Sequence, residues 1–347
     1  MSGLPRNRLL VGDAATRLHE LPPASVDMVV TSPPYFRLRN YQQDGQLGLE
    51  AHVDEWSANL RGVASELARV LVPGGSLWLN LGDTYALHHS QGAPRKGLLL
   101  APERLVLDLS TDGWLVRNKI VWAKTNCRPT SARDRLACTY EVIYLLVRST
   151  RYFFDLNAIR VPHRSRPPKA TPGRRGSTRP PARKEAWRGP NGATADGLHW
   201  LHSLGAVGHP LGKNPGDVWR LSVSNFRGAH FATFPEHLVE RVIRAGCPER
   251  RCVRCRLPWR RRIQRLGATA VRGALLAGCG CQANSQPGLV LDPFMGAGTT
   301  AVAAEALGRD WLGIELNSDF ARLSLERIEQ ARRRQETTTE LKGGDHA

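Results

Sequence analysis

Two segments far apart in this chain combine residue types and spacings suited to chemistry on a nucleoside. The first is Thr31-Ser32-Pro33-Pro34-Tyr35, directly after the apolar run Val26-Asp27-Met28-Val29-Val30. Its prolines fix φ near about −65° and remove two amide donors, so the Ser32 and Pro33 carbonyls are free to face a ligand. Tyr35 adds a ring able to stack on a flat polar group. Taken alone, an ordinary strand-to-loop exit with proline in a turn explains the segment about as well. The second segment shifts that balance. Leu289-Val290-Leu291-Asp292-Pro293-Phe294-Met295-Gly296-Ala297-Gly298-Thr299-Thr300 leads into a helical pattern and then an apolar strand, Trp311 to Ile314, closing on Glu315. Gly296 and Gly298 let the backbone approach a ligand, and Glu315 is placed to accept hydrogen bonds from ribose hydroxyls. The third glycine of the dinucleotide fingerprint is missing, and so is a Walker-type Gly-Lys-Ser/Thr. The ligand is therefore a nucleoside without a polyphosphate, and S-adenosylmethionine fits better than a dinucleotide or ATP.

An exocyclic amine on cytosine or adenine is a poor nucleophile because its lone pair is delocalised into the ring. Acceptors at the Ser32 hydroxyl and the Pro33 carbonyl can hold its hydrogens and turn the lone pair toward a sulfonium methyl group. Stacking on Tyr35 contributes ~1–3 kcal/mol, offsetting part of the few kcal/mol needed to flip the base from a duplex. Direct transfer then rests on positioning and local electrostatics. Covalent catalysis at cytosine carbon 5 commonly uses a Pro-Cys pair, whereas this chain has only the reverse order, Cys247-Pro248. That argues against carbon-5 methylation.

Together, Asp292 to Thr300 and Thr31 to Tyr35 resemble the S-adenosylmethionine-dependent DNA amino-methyltransferases. Their order, with Ser-Pro-Pro-Tyr first and the glycine loop last, resembles the permuted β class. Leu9 to Ala14, Leu71 to Asn80, Trp114 to Lys124, Tyr140 to Val147 and Ala229 to Pro235 also sit where that family has recurring segments, so the resemblance covers residues 5–150 and 215–335. It implies that Ser32, Pro33, Pro34 and Tyr35 carry the catalysis. It also implies a cofactor site made by Asp13, Phe231, Asp292, Phe294, Gly296, Gly298, Thr299, Glu315 and Asn317. Within it, Asp13 is expected near the adenine, Phe231 and Phe294 against the ring or methionine chain, and Asp292 orienting the methionine ammonium through the turn. Core packing serves equally for the two phenylalanines, and a turn cap is the plainer role for Asp13. Asp at the first tetrapeptide position is usual for adenine enzymes, whereas Ser32 resembles the N4-cytosine group. Adenine N6 stays the alternative; an RNA or protein methyltransferase, where Asn-Pro-Pro-Tyr is more usual, ranks below both. The expected partners are double-stranded DNA and a cognate restriction endonuclease, in a monomer or homodimer.

The 347 residues include 49 Lys and Arg against 31 Asp and Glu, a formal charge of +18 that points to a polyanionic partner. Its location is informative. Between Arg160 and Arg188 ten basic residues face one acid, Glu185, with prolines throughout. Arg164, Arg166, Lys169, Arg174, Arg175, Arg179, Arg183 and Lys184 are read there as phosphate contacts in a target-recognition region that orders on DNA. A basic solvated insertion is the blander reading. Among the seven cysteines, Cys252-x-x-Cys255 and Cys279-x-Cys281 form two short-loop pairs that suit a structural zinc, with arginines 250, 251, 254, 256 and 260–262 making a second candidate DNA contact. With no signal peptide or membrane-length apolar run, the expected setting is the cytoplasm, in association with the nucleoid, for a bacterial, archaeal or phage-encoded protein.

Positioning these groups requires a sheet. Apolar runs predict strands near 8–12, 26–31, 76–80, 117–122, 141–147, 289–292 and 311–314, with helices 53–70, 99–111, 235–246, 299–307 and 318–334. Alternating strands and helices predict a doubly wound Rossmann-like α/β fold in permuted order, with the ligand at the carboxyl ends of the strands. The expected division is a catalytic half, 1–150; target recognition, 151–228; a return to the core, 229–247; a zinc insertion, 248–288; the cofactor half, 289–335; and a flexible tail, 336–347.

Overall fold

The computed structural model describes residues 4–127, 129–163, 208–223, 234–266 and 269–343. The chain divides into two compact units, one of Met1–Asp155, Gly216–Arg260 and Ala277–Ala347, the other of Leu156–Pro215 and Arg261–Leu276. In chain order the strands are β1 (Arg8–Val11), β2 (Val26–Thr31), β3 (Leu71–Leu81), β4 (Leu115–Lys124), β5 (Tyr140–Val147), β6 (Val218–Leu221), β7 (Arg250–Cys252), β8 (Arg260–Leu266), β9 (Thr269–Leu276), β10 (Ser285–Pro287), β11 (Leu289–Asp292) and β12 (Asp310–Glu315). The helices are α1 (Ala14–His19), α2 (Val53–Val70), α3 (Ala101–Thr111), α4 (Glu236–Gly246), α5 (Thr299–Ala306) and α6 (Ser318–Gly343).

The larger unit is built on an eight-stranded sheet in the order β1-β12-β11-β2-β3-β5-β4-β6. Every neighbouring pair is parallel except the two made by β5, which runs against both β3 and β4. All six residues of β2 are buried, as a parallel strand covered on both faces requires. On one face Val29, Leu77 and Leu79 join a core with α2 and α3, including Trp56, Leu60 and Leu105. On the other, Gly246 of α4 lies so close to Met28 and Trp78 that a Cβ there would fall 2.5 Å from the Trp78 indole nitrogen. The mixed, mostly parallel α/β sheet agrees with the expected class, and each strand and helix named from the sequence forms. The apolar pattern gives no sign of α1, the pair β7–β10, the pair β8–β9 or β6. That last strand, inside the stretch 151–228, is the outermost strand of the main sheet beside β4.

The smaller unit contains a short 3₁₀ turn, Leu156–Ala158, and a bridge between Val161 and Lys213. Among its described residues it also holds the two-stranded sheet β8–β9. Among the described residues no helix is long and apolar enough to cross a membrane.

Candidate active site

The carboxyl ends of β2, β3, β11 and β12 and the amino end of β5 meet at one edge of the sheet. They line a cavity of about 480 Å³, within the roughly 300–1,000 Å³ typical of cofactor sites. Ser32, Pro33, Pro34 and Tyr35 reach it from the end of β2, and Phe294, Gly296, Thr299, Glu315 and Asn317 from the opposite side. The two halves are fastened by Asp292. Its fully buried carboxylate accepts from Thr31 Oγ1 at 2.7 Å, Thr300 Oγ1 at 2.6 Å and the Phe294 amide at 3.1 Å. Burial pushes its pKa up to about 6 against the pull of the Thr300 and Thr31 hydroxyls. Asp292 thus braces the glycine loop from behind and is not itself part of the cavity wall.

On the cofactor side the backbone turns through Gly296 at φ +54° and Gly298 at φ +77°, values that favour glycine. Gly298 is the N-cap of α5, and a Cβ there would lie 2.3 Å from Ser324 Oγ. Glu315, at the end of β12, accepts the Gly296 amide at 2.7 Å through one oxygen and the Asn317 amide at 2.9 Å through the other. Each oxygen keeps a second lone pair for a ribose hydroxyl. Burial raises the Glu315 pKa, opposed by those amides. Asn317 in turn accepts the Asp319 amide at 2.8 Å and starts α6. Asp13 also borders the cavity, yet its carboxylate caps α1, taking the Thr16 amide and hydroxyl at 2.9 Å each. The plainer expectation for Asp13 therefore describes the contacts it makes. Phe231 and the basic residues Arg164, Arg166, Lys169, Arg174, Arg175, Arg179, Arg183 and Lys184 lie outside the described residues.

The catalytic side holds groups that the motifs do not include. Tyr35 Oη donates to Glu141 Oε2 at 2.7 Å, lies 2.9 Å from Ser32 Oγ and accepts Asn80 Nδ2 at 2.7 Å. Asn80 Nδ2 is also 2.7 Å from Glu141 Oε2, and Lys124 Nζ is ion-paired with Glu141 Oε1 at 2.6 Å. Burial, reinforced by Glu141, holds the Tyr35 pKa well above its ordinary value, so the phenol stays protonated. Its ring packs over Gly82, where a Cβ would lie 2.7 Å from the ring edge. The Trp56 indole donates to the Pro34 carbonyl at 2.9 Å, which pins the loop. Among the described residues nothing donates to the Pro33 carbonyl. A usable signal for Asn80 and Glu141 was present, since each is a lone polar residue in an apolar strand run.

Farther along the chain, the Sγ atoms of Cys252, Cys255, Cys279 and Cys281 all lie within 4.8 Å of one another. A tetrahedral zinc with Zn–S bonds of about 2.3 Å needs edges of about 3.8 Å, so this cluster fits one after a small contraction. The knuckle is closed by the Arg256 amide, which donates to the Cys252 carbonyl at 3.0 Å with Arg256 at φ +62°. Amides of Cys255 and Arg254 hold the Cys252 thiol down to about 7. The expectation that the surrounding arginines face DNA fails for Arg251. Its side chain is buried, pairs with Asp27 Oδ2 at 2.9 Å and donates to the Ser25 carbonyl at 3.1 Å. Arg250 likewise commits its guanidinium to Ser285.

A mostly parallel sheet with a nucleoside-sized cavity at its strand ends, a glycine turn, and an acid closing the next strand defines a nucleoside-cofactor enzyme of the methyltransferase type. Comparison with known proteins agrees. The DNA methylase family matches residues 26–326, and the chain belongs to it, the family of N6- and N4-directed DNA amino-methyltransferases. Type II methyltransferase M.SmaI of Serratia marcescens is 30% identical over 94% of this chain and 92% of its own. M.SfiI of Streptomyces fimbriatus is 45% identical over 46% of this chain and 40% of its own. In fold, the chain is similar to the cytosine-N4-specific PvuII DNA methyltransferase, with a TM-score of 0.56 at 16% identity over 95% of this chain and 93% of that one. A Thermus thermophilus protein solved with S-adenosyl-L-methionine gives 0.51 at 24% identity, over 94% and 95%.

Proposed function

We propose that this enzyme moves a methyl group from S-adenosylmethionine to the exocyclic N4 amine of a cytosine flipped out of double-stranded DNA. The observation that carries this reading is a neutral hydroxyl, Ser32, rather than a carboxylate, at the end of β2 and beside the same cavity as Glu315 and the glycine loop. S-adenosylmethionine would supply an electrophilic methyl group, held by Glu315 and the loop at Gly296, while Ser32 Oγ and the Pro33 carbonyl would accept the amine hydrogens and Tyr35 would confine the base. The amine nitrogen, on taking the methyl group from sulfur, would release one proton to water and leave S-adenosylhomocysteine.

Other parts of the reading fit around this centre. The late position of β11 and β12 supports a permuted motif order, with the cofactor half following the catalytic half in the chain. The four-cysteine cluster supports a structural zinc. The basic stretch 160–188 supports a phosphate-binding target-recognition segment. The Type II names of the relatives support a role beside a restriction endonuclease.

The experiment is to incubate the purified protein with unmethylated genomic DNA and S-adenosylmethionine, digest to nucleosides and identify the modified base by mass spectrometry. N4-methylcytosine is the expected product; N6-methyladenine alone overturns the choice of base.

A further inference from the structure

Resting on amine methylation as just proposed, we infer that Glu141 is a positioning residue that fixes the hydrogen-bond polarity of the amine pocket through Tyr35, Ser32 and Asn80. An ionised carboxylate only accepts, and Glu141 Oε1 is ion-paired with Lys124 Nζ at 2.6 Å. Tyr35 therefore gives its single proton to Glu141 Oε2 at 2.7 Å. The Ser32 hydroxyl, 2.9 Å from Tyr35 Oη, must then donate to that phenolic oxygen. Asn80 Nδ2 approaches Ser32 Oγ at 3.4 Å, which leaves one lone pair of that hydroxyl for an amine hydrogen.

The same carboxylate orients Asn80. The amide nitrogen faces Glu141 Oε2 and Tyr35 Oη at 2.7 Å each, so the amide oxygen points the other way. That oxygen is buried and has no hydrogen-bond partner in a residue that borders the cavity. A buried acceptor left unpaired costs about 1–3 kcal/mol, a penalty that a bound N–H donor removes. Ser32 Oγ and the Pro33 carbonyl then offer acceptors at the cavity, matched to an amine with two hydrogens and hostile to a ring carbonyl.

The test compares Glu141→Gln, Glu141→Asp and Tyr35→Phe with wild type in single-turnover methylation of unmethylated genomic DNA, with S-adenosylmethionine binding followed in parallel. Cofactor affinity is expected to stay within about twofold, since no named group touches Glu315 or the glycine loop. The transfer rate is expected to fall roughly 100-fold in Glu141→Gln, as for a misplaced reacting group, with partial recovery in Glu141→Asp. A Glu141→Gln or Tyr35→Phe enzyme that keeps the wild-type transfer rate, or a Glu141→Asp enzyme that recovers none of it, overturns the inference. Product analysis separates the two readings: N6-methyladenine with a Glu141-dependent transfer rate supports this inference while overturning the cytosine assignment.

Discussion

Arg251 Nη1 lies 2.9 Å from Asp27 Oδ2, with both side chains about 3% exposed, so a residue of the cysteine knuckle is ion-paired inside the central sheet. Asp27 also accepts the Leu289 amide at 2.7 Å, tying β2 to the start of β11. Burial raises its pKa while Arg251 opposes the rise. Removing one partner of a buried pair strands the other. Arg251→Met is expected to destabilise the protein by about 3–5 kcal/mol in urea unfolding, and Asp27→Asn combined with Arg251→Met by less than the sum of the single changes.

Asp292 gives stability a pH dependence of defined sign. Its folded pKa of about 6 stands above the ordinary 3.8, so between those values the native protein holds a proton that the unfolded chain has released. Stability contributed at this site therefore falls as pH rises through that window. Above it the penalty of the buried charge is complete, up to about 3 kcal/mol at ~1.36 kcal/mol per unit. Asp292→Asn should remove the slope, so the wild type gains on the variant as pH drops from neutrality toward 4. Parallel unfolding curves for the two proteins at all pH values would contradict this.

The sheet was legible because its strands are apolar runs bounded by turn residues, as in Val26 to Thr31 and Leu289 to Asp292. The glycine loop was legible because few ligands ask for Gly-x-Gly followed by a strand ending in acid. Glu141 and Asn80 each stand out as a lone polar residue in an apolar strand, but their meeting with Ser32 was not legible, since it is made only through strand pairing, with Asn80 opposite Ile143 and Leu79 opposite Tyr144 on neighbouring strands. No local spacing encodes that meeting. Asp13 stands where both of its readings place it, bordering the cavity while its carboxylate caps α1. Arg251 misled because a run of arginines looks exposed, and nothing nearby in sequence reveals the distant Asp27.

The cysteine cluster predicts one zinc per chain by elemental analysis. Cys279→Ser or Cys255→Ser should lower the metal content and the melting temperature together, because a structural zinc contributes folding energy directly. A metal-free protein with unchanged melting temperature after these substitutions would remove zinc from the account.

Gly298 leaves no space for a side chain. At φ +77° and with Ser324 Oγ 2.3 Å from the position of a Cβ, Gly298→Ala meets both strain and collision. The expected cost is about 1–3 kcal/mol of stability from backbone strain, with weakened S-adenosylmethionine binding measured by calorimetry. Gly298→Ala combined with Ser324→Gly should recover part of the stability by relieving the collision, while the strain persists.

The middle of the sheet is assembled from strands made at opposite times. Met28 and Val29 of β2 pair with Val290 and Leu291 of β11, and β1 pairs with β12 across a similar distance. While the ribosome is producing the intervening chain, β2 carries an unpaired edge and β1 has no neighbour. Such long-range pairing makes folding slow and leaves the nascent segment dependent on protection from aggregation. It also delays the chemistry: a chain translated no further than β10 cannot modify DNA, because the groove for the methyl donor is not formed until β11 and β12 join the sheet.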